Sequence, residues 1–321
     1  MRRMNAIIAR ALGATFLMGA AVEACTVPVF RFALDRWQAD AYRLEVPDGW
    51  VNSAGGRAFQ KKLDETRTEV EIVSLDGAAA GGNLVMPSDE RAVVWSGELG
   101  NDASSLFTSP AREEVVRRIL AGDSMVWVMI ASGEEAADAA FEKRLKSRLA
   151  YLGTVAAIPK QDLSDPDSQL GPGPELRVGL SFLRIARDDP REQIFLKMLA
   201  GPGKEGESLR RGKEPCAAVV FGRGRVLGVW SSGDLDKQGI DEVSLFLLGA
   251  CSCRVKVQNP GWDLGLAIDW EARLMAAQMA ADRAVEARGG DPAPETPRGP
   301  APAPAALEIR RFGGEKDDPQ K

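Results

Sequence analysis

The chain has 321 residues, of which 45% are hydrophobic and 27% charged, enough apolar material for two cores of ordinary size, and this excludes disorder throughout. Its net charge is −5 with both signs mixed along the chain, and no basic block interleaved with aromatics follows the pattern of a phosphate-backbone reader, so nucleic acid is not an expected partner. It contains no histidine, which removes Ser-His-Asp and Cys-His catalysis and His-ligated zinc or haem, and leaves carboxylates, thiols, Lys and two Tyr for any chemistry.

Residues 1–24 read as a secretory signal peptide. Arg2, Arg3 and Arg10 form a basic start, Ala11 to Val22 an apolar stretch, and Val22-Glu23-Ala24 a small-residue cleavage site. The stretch is too short for a stable span, which needs about 20 residues, and no later segment is apolar enough to cross a membrane. Val-Glu-Ala followed by Cys25 resembles the lipobox of bacterial lipoproteins, which implies that Cys25 becomes a lipidated first residue. Two alternatives stay open: ordinary signal-peptidase cleavage, and an uncleaved cytosolic chain in which Cys25, just before a helix, is a nucleophile. Cleavage removes three Arg against one Glu, so the product is more acidic. The expected partner is a membrane surface, and the expected place is the cell envelope, anchored on the periplasmic side.

The N-terminal half, 25–122, reads as an α/β domain. "VPVFRFALDRW" (27–37) suits a helix, "AYRLEV" (41–46) a strand, "GRAFQKKLD" (56–64) a short helix, and "TEVEIVSL" (68–75) a strand. Residues 75–90 are a loop by composition, and "RAVVWSGEL" (91–99) is a further strand. A helix then opens with Ser109 as cap and Pro110 next, and stops at Gly122.

In 123–258, "SMVWVMIA" (124–131) is a strand buried on both faces. Ser132 and Glu135 form a capping box for a helix with Phe141, Leu145, Leu149 and Leu152 on one face, ending at Gly153. Residues 159–175 are a loop, and "RVGLSFLRIA" (177–186) is a strand. Asp189 to Glu192 repeats the capping device for a helix through Leu199. "PCAAVVFGRGRVLGVW" (215–230) is a hairpin across Gly-Arg-Gly, and "DEVSLFLLGAC" (241–251) a buried helix.

This βαβαββα order resembles the thioredoxin-like fold, and Pro215 sits where that family places its cis-proline. Where the family's redox enzymes carry Cys-x-x-Cys this chain has Ser132-Gly133-Glu134-Glu135, so the resemblance implies a unit without the dithiol. The order αβαββα of 25–122 suggests a second, degenerate unit whose missing first strand would be the signal segment itself. A C-terminal helix follows in 259–288, and the Pro-, Ala- and charge-rich tail 289–321 is expected to be disordered.

Cys251-Ser252-Cys253 is the sharpest candidate for chemistry. Two thiolates two residues apart chelate a soft metal such as Cu(I) or close a strained disulfide, with Cys216 as a third ligand if the fold brings it near. The structural reading is a Cys216–Cys253 staple with Cys251 packed in its helix, or buried thiols. "FGRGR" (221–225) lies between β-rich runs and reads as a hairpin turn, not a phosphate cradle. Asp162, Asp165 and Asp167 have the Gly and closing Glu of a calcium loop out of register. Asp263, Asp269 and Glu271 offer an acid/base pair but read better as a helix start with Trp262 and Trp270 packed on the body. No catalytic residue, cofactor or metal is therefore assigned. The whole resembles uncharacterised bacterial envelope lipoproteins, and the expected function is binding or support by a redox-inactive body. The alternative is a thiol oxidoreductase or soft-metal protein using Cys216, Cys251 and Cys253.

Overall fold

The computed structural model describes residues 26–75, 81–88, 91–99, 104–162, 164–251 and 255–287. Residues 1–24, read above as a signal peptide, Cys25, Cys253 and the proline-rich tail lie outside them. The described residues form a mixed α/β structure with two sheets.

Helix α1 (Val29–Arg36) follows Pro28 and buries six residues, Val29 to Leu34. Strand β1 (Tyr42–Pro47) turns Tyr42, Leu44 and Val46 to one side, as the two-residue period of a strand requires. Helix α2 (Ala54–Thr66) begins where the Ser53 hydroxyl accepts the Gly56 N–H at 3.0 Å. It stops at Arg67, whose φ of 46° is left-handed. Strands β2 (Val70–Leu75), β3 (Gly81–Val85) and β4 (Val93–Glu98) complete a sheet in the order β2-β1-β3-β4. The β1–β2 pair is parallel and the other pairs are antiparallel. Helix α3 (Pro110–Leu120) is capped by Ser109, as expected.

Strand β3 corrects the loop expected over 75–90. "GGNLV" has turn composition, but it is held on both sides, and its glycines are there for close approach: a Cβ on Gly82 would stand 2.8 Å from the Glu45 carbonyl. No upstream strand is needed to complete this sheet, because β1 is its first strand and β3 supplies the fourth member.

The second sheet starts with β5 (Met125–Ala131), buried at all seven residues. After α4 (Glu135–Val155) come β6 (Leu180–Ala186), α5 (Gln193–Ala200), α6 (Lys204–Arg211), β7 (Cys216–Phe221), β8 (Arg225–Ser231) and α7 (Lys237–Leu248). A two-residue strand β9 (Trp262–Asp263) and α8 (Trp270–Ala287) end the described chain. The sheet order is β6-β5-β7-β8-β9, with β5–β6 parallel and the rest antiparallel. Helix α7 lies earlier than expected: Asp236 caps it, accepting the Gly239 N–H at 2.8 Å, and it ends three residues before Cys251. The peptide bond before Pro215 is trans.

Two cores flank the second sheet. Met125, Trp127 and Met129 of β5 face α1, α4 and α7, while Val126, Val128 and Ile130 face α5 and the inner side of the first sheet. Burying each large apolar side chain is worth about 1.5–3 kcal/mol, so this doubly covered sheet carries much of the fold's stability. Trp127 is fully buried and still donates its indole N–H to the Ser244 hydroxyl of α7 at 3.3 Å.

Candidate functional site

The cysteines do not converge. Cys216 begins β7 and points into the core shared with the first sheet, whereas Cys251 packs in the core under α1, α4 and α7. The second sheet stands between them. Cys216 is a free thiol, and burial pushes it up to about 11, with Arg187 opposing. The nucleophile and metal ligand is the thiolate, the form that burial disfavours at Cys216. Cys251 follows the end of α7 and donates its N–H to the Val27 carbonyl at 2.9 Å, beside an antiparallel bridge between Pro28 and Ala250. Cys25 and Cys253, the other candidate residues, fall outside the described part of the chain.

The junction of β5 and α4 is built around one carboxylate that the sequence did not single out. Asp138, 1% exposed, accepts the Ser132 N–H and hydroxyl at 2.8 Å each and the Gly133 N–H at 3.1 Å. The Ser132 hydroxyl in turn accepts the Glu134 N–H at 3.1 Å. Asp138 thus does the work expected of Glu135, reaching back one turn further. Burial opposes its ionisation, but the Ser132 and Gly133 donors outweigh that and, with Arg184 nearby, hold the carboxyl below its usual range. The Ser132 and Gly133 donors are turned inward onto Asp138, and the Glu134 N–H onto Ser132.

The hairpin turn formed by "FGRGR" joins three parts of the chain. Gly222 and Gly224 have φ of 57° and 92°, and the two arginines beside them are buried. Arg223 donates to the Leu34 carbonyl at 2.7 Å, in the last turn of α1, and to Gln38 and Glu271 at 2.9 and 2.8 Å. A cation is favoured at that helix end by the dipole. Arg225 donates to the Asn259 and Gly261 carbonyls at 3.0 Å each and pairs with Asp263 at 3.0 Å. Asp263 also takes Lys256 and the Asp40 N–H, and its carbonyl accepts the Tyr42 hydroxyl at 2.9 Å.

These contacts bound a cleft of about 260 Å³ where the two sheets meet α8, lined by Tyr42, Arg67, Glu69, Arg223, Trp270 and Glu271. Its carboxylates have structural partners. Glu271 pairs with Arg223, and Asp269 pairs with Arg67 at 3.1 Å while accepting the Ala272 N–H that opens α8. The acid/base reading of Asp263, Asp269 and Glu271 is accordingly replaced by a packing one. Among the described residues no group of three His, Cys, Asp or Glu is placed to hold a metal ion.

A second feature escaped the sequence. Helix α5 begins at Gln193, later than expected, because Glu192 leaves its own chain neighbours and accepts the Ala111 N–H at the start of α3 at 2.8 Å. Arg112, 2% exposed, lies over the Phe195 ring and donates to the Met198 sulfur at 3.2 Å. Burial lowers its pKa to about 10. Neither cap nor buried guanidinium has a local signal, since the partners are 81 and 86 residues apart. No family model matches this chain, and no curated protein matches it either.

Proposed function

We propose that the chain is a non-catalytic exported lipoprotein, anchored to the envelope through Cys25, whose body comprises two thioredoxin-like units in tandem and serves in binding or support. The carrying observation is the locked Ser132–Glu135 segment: the site where a thioredoxin-like enzyme holds its dithiol is here closed by Asp138.

The thioredoxin-like reading is supported by strand order. In both sheets the second strand of the unit lies outside the first, with the third and fourth on the other side, and only the first two run parallel. In the second unit α4, the crossover between the parallel strands β5 and β6, shares one face with α7, and α5 covers the other. In the first unit only residues 76–80 separate the second strand from the third. The bond before Pro215 is trans where the family has a cis-proline.

The thiol-chemistry alternative is disfavoured by the separation and protonation of Cys216. Intact-mass measurement of membrane-extracted protein, alkylated with and without reduction, tests both readings. An acyl mass on a chain starting at Cys25, with thiols that do not titrate near physiological potential, is the expected result. Two reversibly titrating thiols would overturn the non-catalytic reading, and an unprocessed N-terminus on cytosolic protein would overturn the anchor.

A further inference from the structure

The first described residues are not a loose leader. The Thr26 N–H donates to the Ser168 hydroxyl at 3.1 Å, the Thr26 carbonyl accepts from Gln161 at 3.0 Å, and its hydroxyl accepts the Asp162 N–H at 3.0 Å. Val27 is 1% exposed and paired to Cys251, and Val29 donates to the Gly249 carbonyl at 3.0 Å. The chain is therefore held by the folded body at Thr26, one residue after Cys25, and adjacent Cα atoms are only about 3.8 Å apart. A tether of that length cannot span the headgroup layer, which is roughly 5–8 Å deep on each side of a bilayer, so an acyl chain at Cys25 brings the surface around Thr26 into contact with it.

We propose that the body is held flush on the membrane, with Gln161, Asp162 and Ser168, which hold Thr26, and the C-terminal ends of α4 and α7 against the lipid headgroups, and with the Ser132–Glu135 end standing away from it. This rests on the anchor reading above. Orientation follows from the helices: α4 and α7 lie side by side and point the same way, since Arg144 donates to the Ser232 and Leu235 carbonyls just before α7 and Arg148 pairs with Asp241 one turn on. The end of α4 leads through Ile158 to Gln161, which holds Thr26. A helix from Glu135 to Val155 is about 30 Å long, which sets the greatest height of its start above the bilayer. Whatever binds that end, the first-sheet face or α8 is met in the aqueous space at a fixed height, not at the end of a swinging linker. Asp162 and Asp165 at the contact rim add no attraction to anionic lipid, so the anchor alone supplies the affinity.

The test uses the full mature lipoprotein in phosphatidylcholine vesicles carrying a headgroup quencher. A fluorescent amino acid replaces Lys160 or Ala136, both exposed. Strong quenching at 160 with several-fold weaker quenching at 136 is expected. Inserting twelve Gly/Ser residues between Cys25 and Thr26, a coil of about 20 Å, should bring position 160 down to the level of 136. Equal quenching at the two positions in vesicle-bound protein before insertion would overturn the flush geometry alone. Protein that does not float with vesicles and carries no acyl mass would overturn the anchor reading, and this proposal with it.

Discussion

Replacing Asp263 by Asn tests whether the hairpin turn holds the two halves of the molecule together. Asp263 and Arg225 are almost fully buried, with side chains 4% and 7% exposed, and Lys256 and the Asp40 N–H converge on the same carboxylate. Asn keeps the volume and one acceptor oxygen but leaves the buried Arg225 without its counter-charge, while Lys256 loses one of two carboxylates and keeps Asp40 at 2.8 Å. Breaking a buried pair on one side costs about 3–5 kcal/mol, and retention of the Asp40 contact places Asp263→Asn near the lower end, about 3 kcal/mol. That is a large fraction of the 5–15 kcal/mol typical of a folded domain. With a urea slope of about 3 kcal/mol/M, the unfolding midpoint followed by far-UV circular dichroism should fall by about 1 M with the slope unchanged. The exposed Lys61–Glu65 pair is the control, and Glu65→Gln should leave the midpoint where it was. An Asp263→Asn midpoint within 0.2 M of the parent's, on the order of the experimental scatter, would refute the idea that this buried network is stabilising.

Three further outcomes follow from other sites. Asp138 is held below its unfolded value of 3.8, so it contributes stability that is complete above about pH 5 and is lost as pH falls through the folded value; Asp138→Asn should destabilise at pH 7, and the gap to the parent should close below pH 4 in acid-dependent melting. Cys216, with its thiol raised to about 11, should resist iodoacetamide at pH 8 in folded protein and react fully in urea, which peptide mapping reads directly; rapid native labelling would contradict its burial. Gly133→Ala meets nothing within 4 Å and should cost only backbone strain, about 1–2 kcal/mol, whereas Gly222→Ala also sets its Cβ 2.7 Å from that of Ala33 and should cost clearly more by urea titration.

Much of the second sheet was legible because its signals are local. The all-apolar run at 124–131 could only be a doubly covered strand, and Phe141, Leu145, Leu149 and Leu152 repeat at the spacing that buries one helix face. Ser109 and Pro110 marked α3 correctly. What failed was the choice of capping group at the starts of α4 and α5. Glu135 and Asp138 are both acidic and both near a helix start, and only the packed position of the helix made Asp138 the one that reaches Ser132. Glu192 looked like a cap for its own helix and was taken by α3, because a buried helix start 81 residues away needed an acceptor. Strand β3 was hidden for a related reason: its glycines look like a turn until the carbonyls of Glu45 and Gly97 crowd them.

The composition class, the absence of histidine chemistry, the alternation of strands and helices in the second half and the turn at "FGRGR" were all readable from the order of amino acids. These depend on residue type and short-range period, which are fixed before folding. Only the tertiary structure decided that Cys216 and Cys251 lie on opposite faces of one sheet, that the turn arginines bind α1 and the Asn259–Asp263 segment, and that the chain is pinned from Thr26 onward. Each of those depends on partners more than 30 residues apart, as with Arg225 and Asn259, separated by 34. Their meeting is set by how whole elements pack to bury apolar surface, a choice no short stretch of sequence contains.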